Sequence, residues 1–459
     1  MTIIVQKLVT RQFAKQQQSW SYYRTAMRGM AIYGVGEGWT GALTKQYMQE
    51  TIPGHDDDND EVSTPVLLYP YDNVQQVSAG WGSSAFLDQQ GQVHVVGRPQ
   101  DLLTLFRLNR LPQWVRKWAA QSNDPSEITM VGSFISKLIG MATGGDQEEW
   151  EVARKYSLLH DWTKVDFTGV GDPQIAHISC SAGFMAMIGT SGMLYTMGIN
   201  NRGQCGTGTF SNNVWTPTRV VGLSSQSKRL DVLEQDEPIS QVALGFQQGY
   251  ALSKSGRVYS WGKANRGQLG RSIDADQDAS AAEILFANNK GRATQIASGM
   301  HHGALLTTDH DVYIWGKNMA LHDNRPKDAL VPERVQGLPN KVLQIACGSH
   351  HTAMLLEDGS VFAIGIASDE AVPILDPVML LPPGTIEFPV RQFAAHHDRT
   401  TVIDKQGQVY QAHLWKDESL QEYAAFTPSY VEALLDKGES IQAIHRGWLH
   451  TLIATQTRT

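Results

Sequence analysis

The chain has 459 residues, 41% of them hydrophobic and 18% charged, with a formal net charge of −8 at pH 7. That mild acidity argues against a nucleic-acid surface, which needs a clustered basic excess. Three cysteines, Cys180, Cys205 and Cys347, cannot all pair with one another and lack metal-ligand spacing, so they read as reduced thiols.

Residues 1–28 carry Lys7, Arg11, Lys15, Arg24 and Arg28, and no acid occurs before Glu37. On a helix, Lys7, Arg11 and Lys15 stack at i, i+4 spacing while Val5, Leu8, Val9 and Phe13 fall on another face. An acid-free, Arg-containing amphipathic start reads as a mitochondrial presequence rather than a solvated basic tail, and it is too polar for a secretory signal. No run in the chain reaches the roughly 18 apolar residues of a membrane span.

Next come the strand-like Ala31–Val35 and Gly36-Glu-Gly38-Trp-Thr-Gly41, which matches the dinucleotide fingerprint GxGxxG. That fingerprint needs a helix at its last glycines and a βαβ unit around it. Here the stretch aligns instead with Gly262–Gly270, so a strand and turn are expected. The acidic run Asp56–Glu61 lacks the glycine and distal glutamate of a calcium loop and reads as a solvated connection.

From Gly80 onward one unit recurs, and Gln241–Gly270 displays it best. Alternating apolar runs (Val242, Leu244; Tyr250, Leu252; Val258, Tyr259, Trp261) are separated by Gly245, by a Ser255-Gly256 turn and by Gly262, followed by a loop closing at Gly267 and Gly270. Period-two apolar runs broken by glycine turns are antiparallel strands. Offsets of 11 and 17 residues from the first glycine recover Gly80/Gly91/Gly97, Ser181/Gly192/Gly198 and Gly348/Gly359/Gly365. They also recover Gly299/His310/Gly316 and a degenerate His396/Gly407/His413. A seventh copy is divided: Ile441–Leu452, around Gly447, supplies its first half and Ile32–Leu43 its second. A repeat of about fifty residues with about four short strands is the signature of a β-propeller. The expected fold is therefore all-β, a seven-bladed β-propeller spanning 29–459 and closed by its N- and C-terminal strands, which removes exposed sheet edges.

The copy starting at Gly80 carries about fifty extra residues, and over 98–165 its composition turns helical. The inserted segments bear Phe106, Arg107, Arg110, Trp114, Arg116, Lys117, Trp118 and Phe134. Three readings compete for them: self-packing on the propeller, an anionic membrane surface, or a partner protein.

Histidines recur beside the repeat glycine, with His302, His351 and His450 third after Gly299, Gly348 and Gly447. That position is expected on the strand nearest the central channel, where a ring nitrogen bonds a neighbouring blade; without interleaved carboxylates or thiolates a metal ring is not expected. No phosphate-cradling, nucleophile-elbow or metal-hydrolase motif is present, so the sequence suggests no catalytic residue and no cofactor.

The unit GxxHxxxLxxxGxVYxWGxNxxGQLG, seen around Gly348–His351–Gly359 and Gly256–Tyr259–Trp261–Gly262–Gly267–Gly270, resembles the regulator of chromosome condensation repeat family. A proline-led strand also recurs, at Pro65, Pro217, Pro332 and Pro428. The resemblance implies a propeller scaffold. Its founding member exchanges guanine nucleotide on a nuclear GTPase, and mitochondrial relatives are implicated in organelle fusion, ribosome biogenesis and respiratory-complex assembly. One branch is a plant ultraviolet receptor with clustered tryptophans; only Trp81 and Trp448 follow the repeat glycine here, too few for that cluster. With the leader, the resemblance favours a non-catalytic assembly factor in the matrix or on the matrix face of the inner membrane. Its expected partners are a respiratory-complex subunit, the mitoribosome or a GTPase, with no DNA. Guanine-nucleotide exchange is the alternative.

Overall fold

A computed structural model describes residues 30–36, 43, 65–70, 73–97, 159–168, 170, 174–224, 236–286, 291–319, 321, 327–366, 374–413, 427–447 and 450–457. The described strands form seven antiparallel sheets, six of four strands and one of three. The blades are numbered here in chain order of their first strands, which are Val74–Ala79, Ile175–Cys180, Ile239–Leu244, Ala293–Ser298, Val342–Cys347, Gln392–His396 and Glu439–Arg446. Consecutive first strands touch one another around the ring and line its centre.

The burial pattern follows the radial position. Second strands such as His302–Thr307 and His351–Leu356 are buried throughout, first strands alternate, and outer strands such as Ala329–Arg334 are largely half-exposed. The apolar core lies between blades. Met187 and Tyr195 of blade 2 cluster with Leu87 and Val93 of blade 1, and comparable clusters join blades 2 to 3, 5 to 6, 6 to 7 and 7 to 1. The largest runs continuously through blades 3, 4 and 5, with Tyr250, Trp315 and Met354.

Blade 7 is the divided copy. Its strand His450–Thr457 pairs with Ala31–Gly36 in register from Ala31 opposite Thr455 to Gly36 opposite His450. Val66–Tyr69 then completes the sheet, so the two ends of the chain supply two strands each. Gly36, first glycine of the dinucleotide-like stretch, thus ends a central strand of this sheet.

Side-chain amides bridge the innermost strands. Gln295 accepts from Ile345 N–H (2.9 Å) and donates to Ile345 C=O (3.0 Å); the same two-bond contact joins Gln76 to Ile178, Gln241 to Ile296 and Gln392 to Ile444. Each glutamine satisfies backbone groups that no neighbouring strand reaches.

Blade 6 departs from the pattern, with three strands among the described residues. Pro428, expected to lead a strand, instead precedes the helix Ser429–Asp436 and accepts from Val431 N–H and Glu432 N–H. Val431 and Leu434 fall on one helical face and pack against Ile403 and Ile441, filling the gap between blades 6 and 7. A proline lacking its own N–H is as well suited to a helix start as to a sheet edge, and the apolar spacing decides for the helix.

Of the 98–165 range, Leu159–Lys164 is the outer strand of blade 1, pairing with Val93–Gly97. Residues 98–158 and the expected presequence, 1–28, lie outside the described residues.

Candidate functional site: the hairpin mouth of the ring

In blades 1 to 6 a tight hairpin joins the first and second strands, and in blade 7 Gly447 N–H donates to His450 C=O (2.8 Å) across the same place; these ends of the strands surround one mouth of the channel. Where the repeat glycine is present it opens the turn, as where Gly299 N–H donates to His302 C=O (2.9 Å) and Gly348 N–H to His351 C=O (2.9 Å). A Cβ at Gly299 would lie 2.6 Å from the Gly348 carbonyl and would overlap the His302 ring. Glycine and histidine therefore form a unit in which the missing Cβ admits the folded-back imidazole. Ser181 holds the glycine's place in blade 2, and its hydroxyl donates to the Gly245 carbonyl (2.5 Å).

The third residue after the glycine opens the second strand, one strand outward from the expected innermost one. From there it reaches the next blade. His302 Nε2 is 3.2 Å from Thr352 Oγ1, His351 Nε2 is 3.1 Å from Thr400 Oγ1 and His450 Nε2 is 3.0 Å from Ser84 Oγ. In blade 3 this position is Gln248, which donates to the carbonyls of Gly299 (3.1 Å) and Met300 (3.2 Å), because the next blade offers Gly303 where the others offer a hydroxyl. Burial pushes His302 and His450 down to about 3, so both rings are neutral at pH 7. Gly97, Gly262, Gly316, Gly365 and Gly36 lie at or one residue before the end of the third strands, opposite that same position and at positive φ.

The turns of blades 1, 3 and 4 contribute Trp81, Phe246 and His301. Trp81 packs on Phe246 at 5.0 Å between ring centroids, and Phe246 meets the His301 ring edge-on at 5.7 Å. All three are half-buried. The residue after the third-strand glycine stands beside the turn: Lys263 N–H donates to Gln247 C=O and Lys317 N–H to His301 C=O, both at 2.9 Å. Burial and the charges of Lys317, Lys263 and Arg266 hold His301 down at about 4. Lys263 is itself lowered by burial and by Arg202 and Arg266, against an opposing pull from Asp276. Arg266 is partly balanced by Asp328 at 3.5 Å, and among the described residues no carboxylate lies within ion-pair distance of Lys263 or Lys317.

Among the described residues no group of three His, Cys, Asp or Glu side chains is placed to hold a metal, and no helix is long and apolar enough to cross a membrane. Cys180 and Cys347 are pushed up to about 12 by burial, and burial raises Cys205 as well. All three are free thiols. The contact residues expected on the insertion, Phe106, Arg107, Arg110, Trp114, Arg116, Lys117, Trp118 and Phe134, lie outside the described residues. The mouth was not anticipated as a site, although a signal existed: lysine follows the third glycine in two adjacent copies, at Lys263 and Lys317.

Seven blades closed in this way define a seven-bladed β-propeller. The model of the regulator of chromosome condensation (RCC1) repeat matches residues 191–252, 255–306 and 309–355, and a second RCC1 repeat model matches 342–369. The fold is similar to human WBSCR16 (TM-score 0.66, 16% identity, 94% of this chain and 100% of that one). It is also similar to yeast RCC1 (Prp20) bound to Kap60 (TM-score 0.62, 17% identity, 96% and 92%). In sequence it is 26% identical over 319 residues to the ultraviolet-B receptor UVR8 of Arabidopsis thaliana, covering 68% of this chain and 66% of the receptor. Other curated relatives are matched over as little as 3% of their length.

Proposed function

We propose that this propeller is a non-catalytic scaffold that grips another protein through its hairpin mouth, acting in mitochondria as an assembly factor for a respiratory or ribosomal complex. The observation that carries the scaffold reading is the division of labour among the mouth residues. The imidazoles that chemistry would need are buried between blades against hydroxyls, His302 and His450 held neutral, while aromatic and basic side chains at the mouth remain half-exposed. Aromatic residues beside cations, on a rigid scaffold, are the composition of protein-binding hot spots. The mitochondrial part rests on the acid-free leader and on the family resemblance.

Nucleotide exchange on a GTPase would be favoured by an acidic and aromatic rim, whereas the aromatic turn residues here lie beside Lys263 and Lys317, neither with a carboxylate at ion-pair distance among the described residues. The test is fractionation and capture from isolated mitochondria, comparing the full chain with a form lacking residues 100–160. Recovery on the inner membrane with respiratory or ribosomal subunits supports the assembly role. Absence from mitochondria, or recovery with a nucleotide-free GTPase, replaces it with the exchanger.

A further inference from the structure

We propose that the hairpin mouth over blades 3 and 4 seats an acidic, aromatic-bearing segment of a partner protein, with the carboxylates on Lys263, Lys317 and Arg266 and an apolar side chain on Trp81 and Phe246. The inference rests on the scaffold reading above and names the chemistry of its site.

Charge is the first argument. On a chain of net charge −8, Lys263, Lys317 and Arg266 all act on one imidazole, His301, and Arg202 adds to the field at Lys263. The acids Asp88, Asp309, Asp358 and Asp404 stand at the hairpins between second and third strands, at the opposite end of the ring. On the mouth side Asp276 acts on Lys263 and Asp328 lies 3.5 Å from Arg266, while Lys317 has no ion-pair partner among the described residues. Like charges gathered at one mouth raise the local concentration of an opposite partner and orient its approach.

Position is the second. Both lysines have their backbone fixed by a hydrogen bond to a turn carbonyl at the same place in adjacent blades, and both charges act on the His301 ring between them. The aromatic pair lies next to them across Ala182, whose small side chain leaves Trp81 of blade 1 free to reach Phe246 of blade 3. A flat aromatic surface flanked by cations suits a side chain that is apolar beside carboxylates.

Among the described residues Arg399 and Arg446 stand at the hairpin ends of blades 6 and 7, but only Lys263, Lys317 and Arg266 act on a ring in contact with the aromatic pair. Cations beside an aromatic pair suit a short acidic peptide with an apolar side chain, whereas a nucleic-acid backbone demands a row of phosphate contacts.

The probe is a fluorescein-labelled peptide of Glu and Gly with one central Trp, titrated by anisotropy against the full chain. The comparison probes are its Gln-for-Glu counterpart and a single-stranded oligonucleotide of equal charge. The acidic peptide is expected to bind and the Gln version to bind at least tenfold more weakly. Lys263→Glu with Lys317→Glu should weaken binding at least tenfold, and Phe246→Ala several-fold, with thermal unfolding unchanged; Lys263→Gln with Lys317→Gln serves if charge reversal disturbs folding. Absence of binding, equal binding by the charge-reversed chain or the Gln peptide, or preference for the oligonucleotide overturns the proposal. If the charge-reversed chain still recovers from mitochondria the subunits that the unaltered chain captures, this site is wrong while the scaffold reading stands. If the unaltered chain captures none, the scaffold reading itself fails.

Discussion

His450 and Ser84, 366 residues apart in sequence, lie 3.0 Å from each other and latch the divided blade 7 onto blade 1. The ring's Nδ1 is buried without a hydrogen-bond partner, which leaves Nε2–H as the donor to the serine hydroxyl. His450→Ala removes that donor, strands a buried hydroxyl and opens a void, at a cost of about 2–4 kcal/mol. His450→Gln should cost less than half as much, because Gln248 already fills the equivalent position in blade 3. Urea unfolding of the two variants checks the order; equal losses would remove the latch from the account of closure.

Acid should unfold the protein earlier than carboxylate titration alone predicts. His302 and His450, each 2% exposed, are held at about 3 against an unfolded value near 6.5. Burial is the main cause for both, and His350, His351 and His301 add to it for His302. The unfolded chain therefore binds more protons than the folded one between these values. The stability held by the neutral rings is complete above about pH 6.5 and falls as pH drops toward 3. His396, also at about 3 through burial and the neighbouring His445, His397 and Arg446, adds to the same slope. Melting temperature followed from pH 7.5 to 5.0 should fall by several degrees, and a His302→Gln/His450→Gln chain should fall less steeply. A flat profile above pH 5 contradicts the assignment of neutral buried rings.

The propeller was legible in the sequence because each blade needs glycine at fixed places. Glycines at offsets of 11 and 17 mark a second turn and a third-strand end where positive φ or close approach excludes a side chain, as at Gly256 and Gly262. Divided blade 7 was legible for the same reason, through Gly447 and Gly36. Pro428 misled because proline-led strands and proline-led helices begin alike, and only the spacing of Val431 and Leu434 separates them. The radial place of His302 was misjudged by one strand, since sequence spacing gives order along the chain but not distance from the axis. The mouth was harder still. Trp81, Phe246, Lys263 and Lys317 occupy positions whose residue type varies from copy to copy, and they meet only once the ring is closed.

Gly365 and Gly384 offer a matched comparison. Both have positive φ, 131° and 79°, but a Cβ at Gly365 would press on the His350 carbonyl and lie 2.6 Å from His351 Cα, whereas at Gly384 nothing lies within 4 Å. Gly384→Ala should cost about 1 kcal/mol, the ordinary penalty for a left-handed alanine. Gly365→Ala should cost about 3 kcal/mol or more, because the Cβ collides with backbone that anchors the His351 latch. Chemical denaturation of the two variants measures the difference, and equal values would mean the close approach relaxes without cost.

The two buried tryptophans of blades 3 and 4 should respond unequally to the same substitution. Trp261 donates to the Gln204 carbonyl at 2.8 Å, and Trp315 donates to the Gln268 carbonyl at 3.0 Å; each ties the glycine-rich loop of the preceding blade beneath its ring. The Gln268 carbonyl also accepts from the Tyr250 hydroxyl, so Trp315→Phe leaves it with a partner. Among the described residues the Gln204 carbonyl accepts only from Trp261, so Trp261→Phe leaves a buried acceptor unpaired. Loss of ring volume is the same in both, and the difference isolates the hydrogen bond. Trp261→Phe should be the more destabilising by about 1–2 kcal/mol. Hydrogen exchange should then rise at Gly206 and Val221, the amides of the loop that Trp261 secures, with no matching rise at Gly270 in the Trp315→Phe chain. Equal destabilisation, with exchange unchanged at Val221, would show that the ring and not its N–H holds the loop.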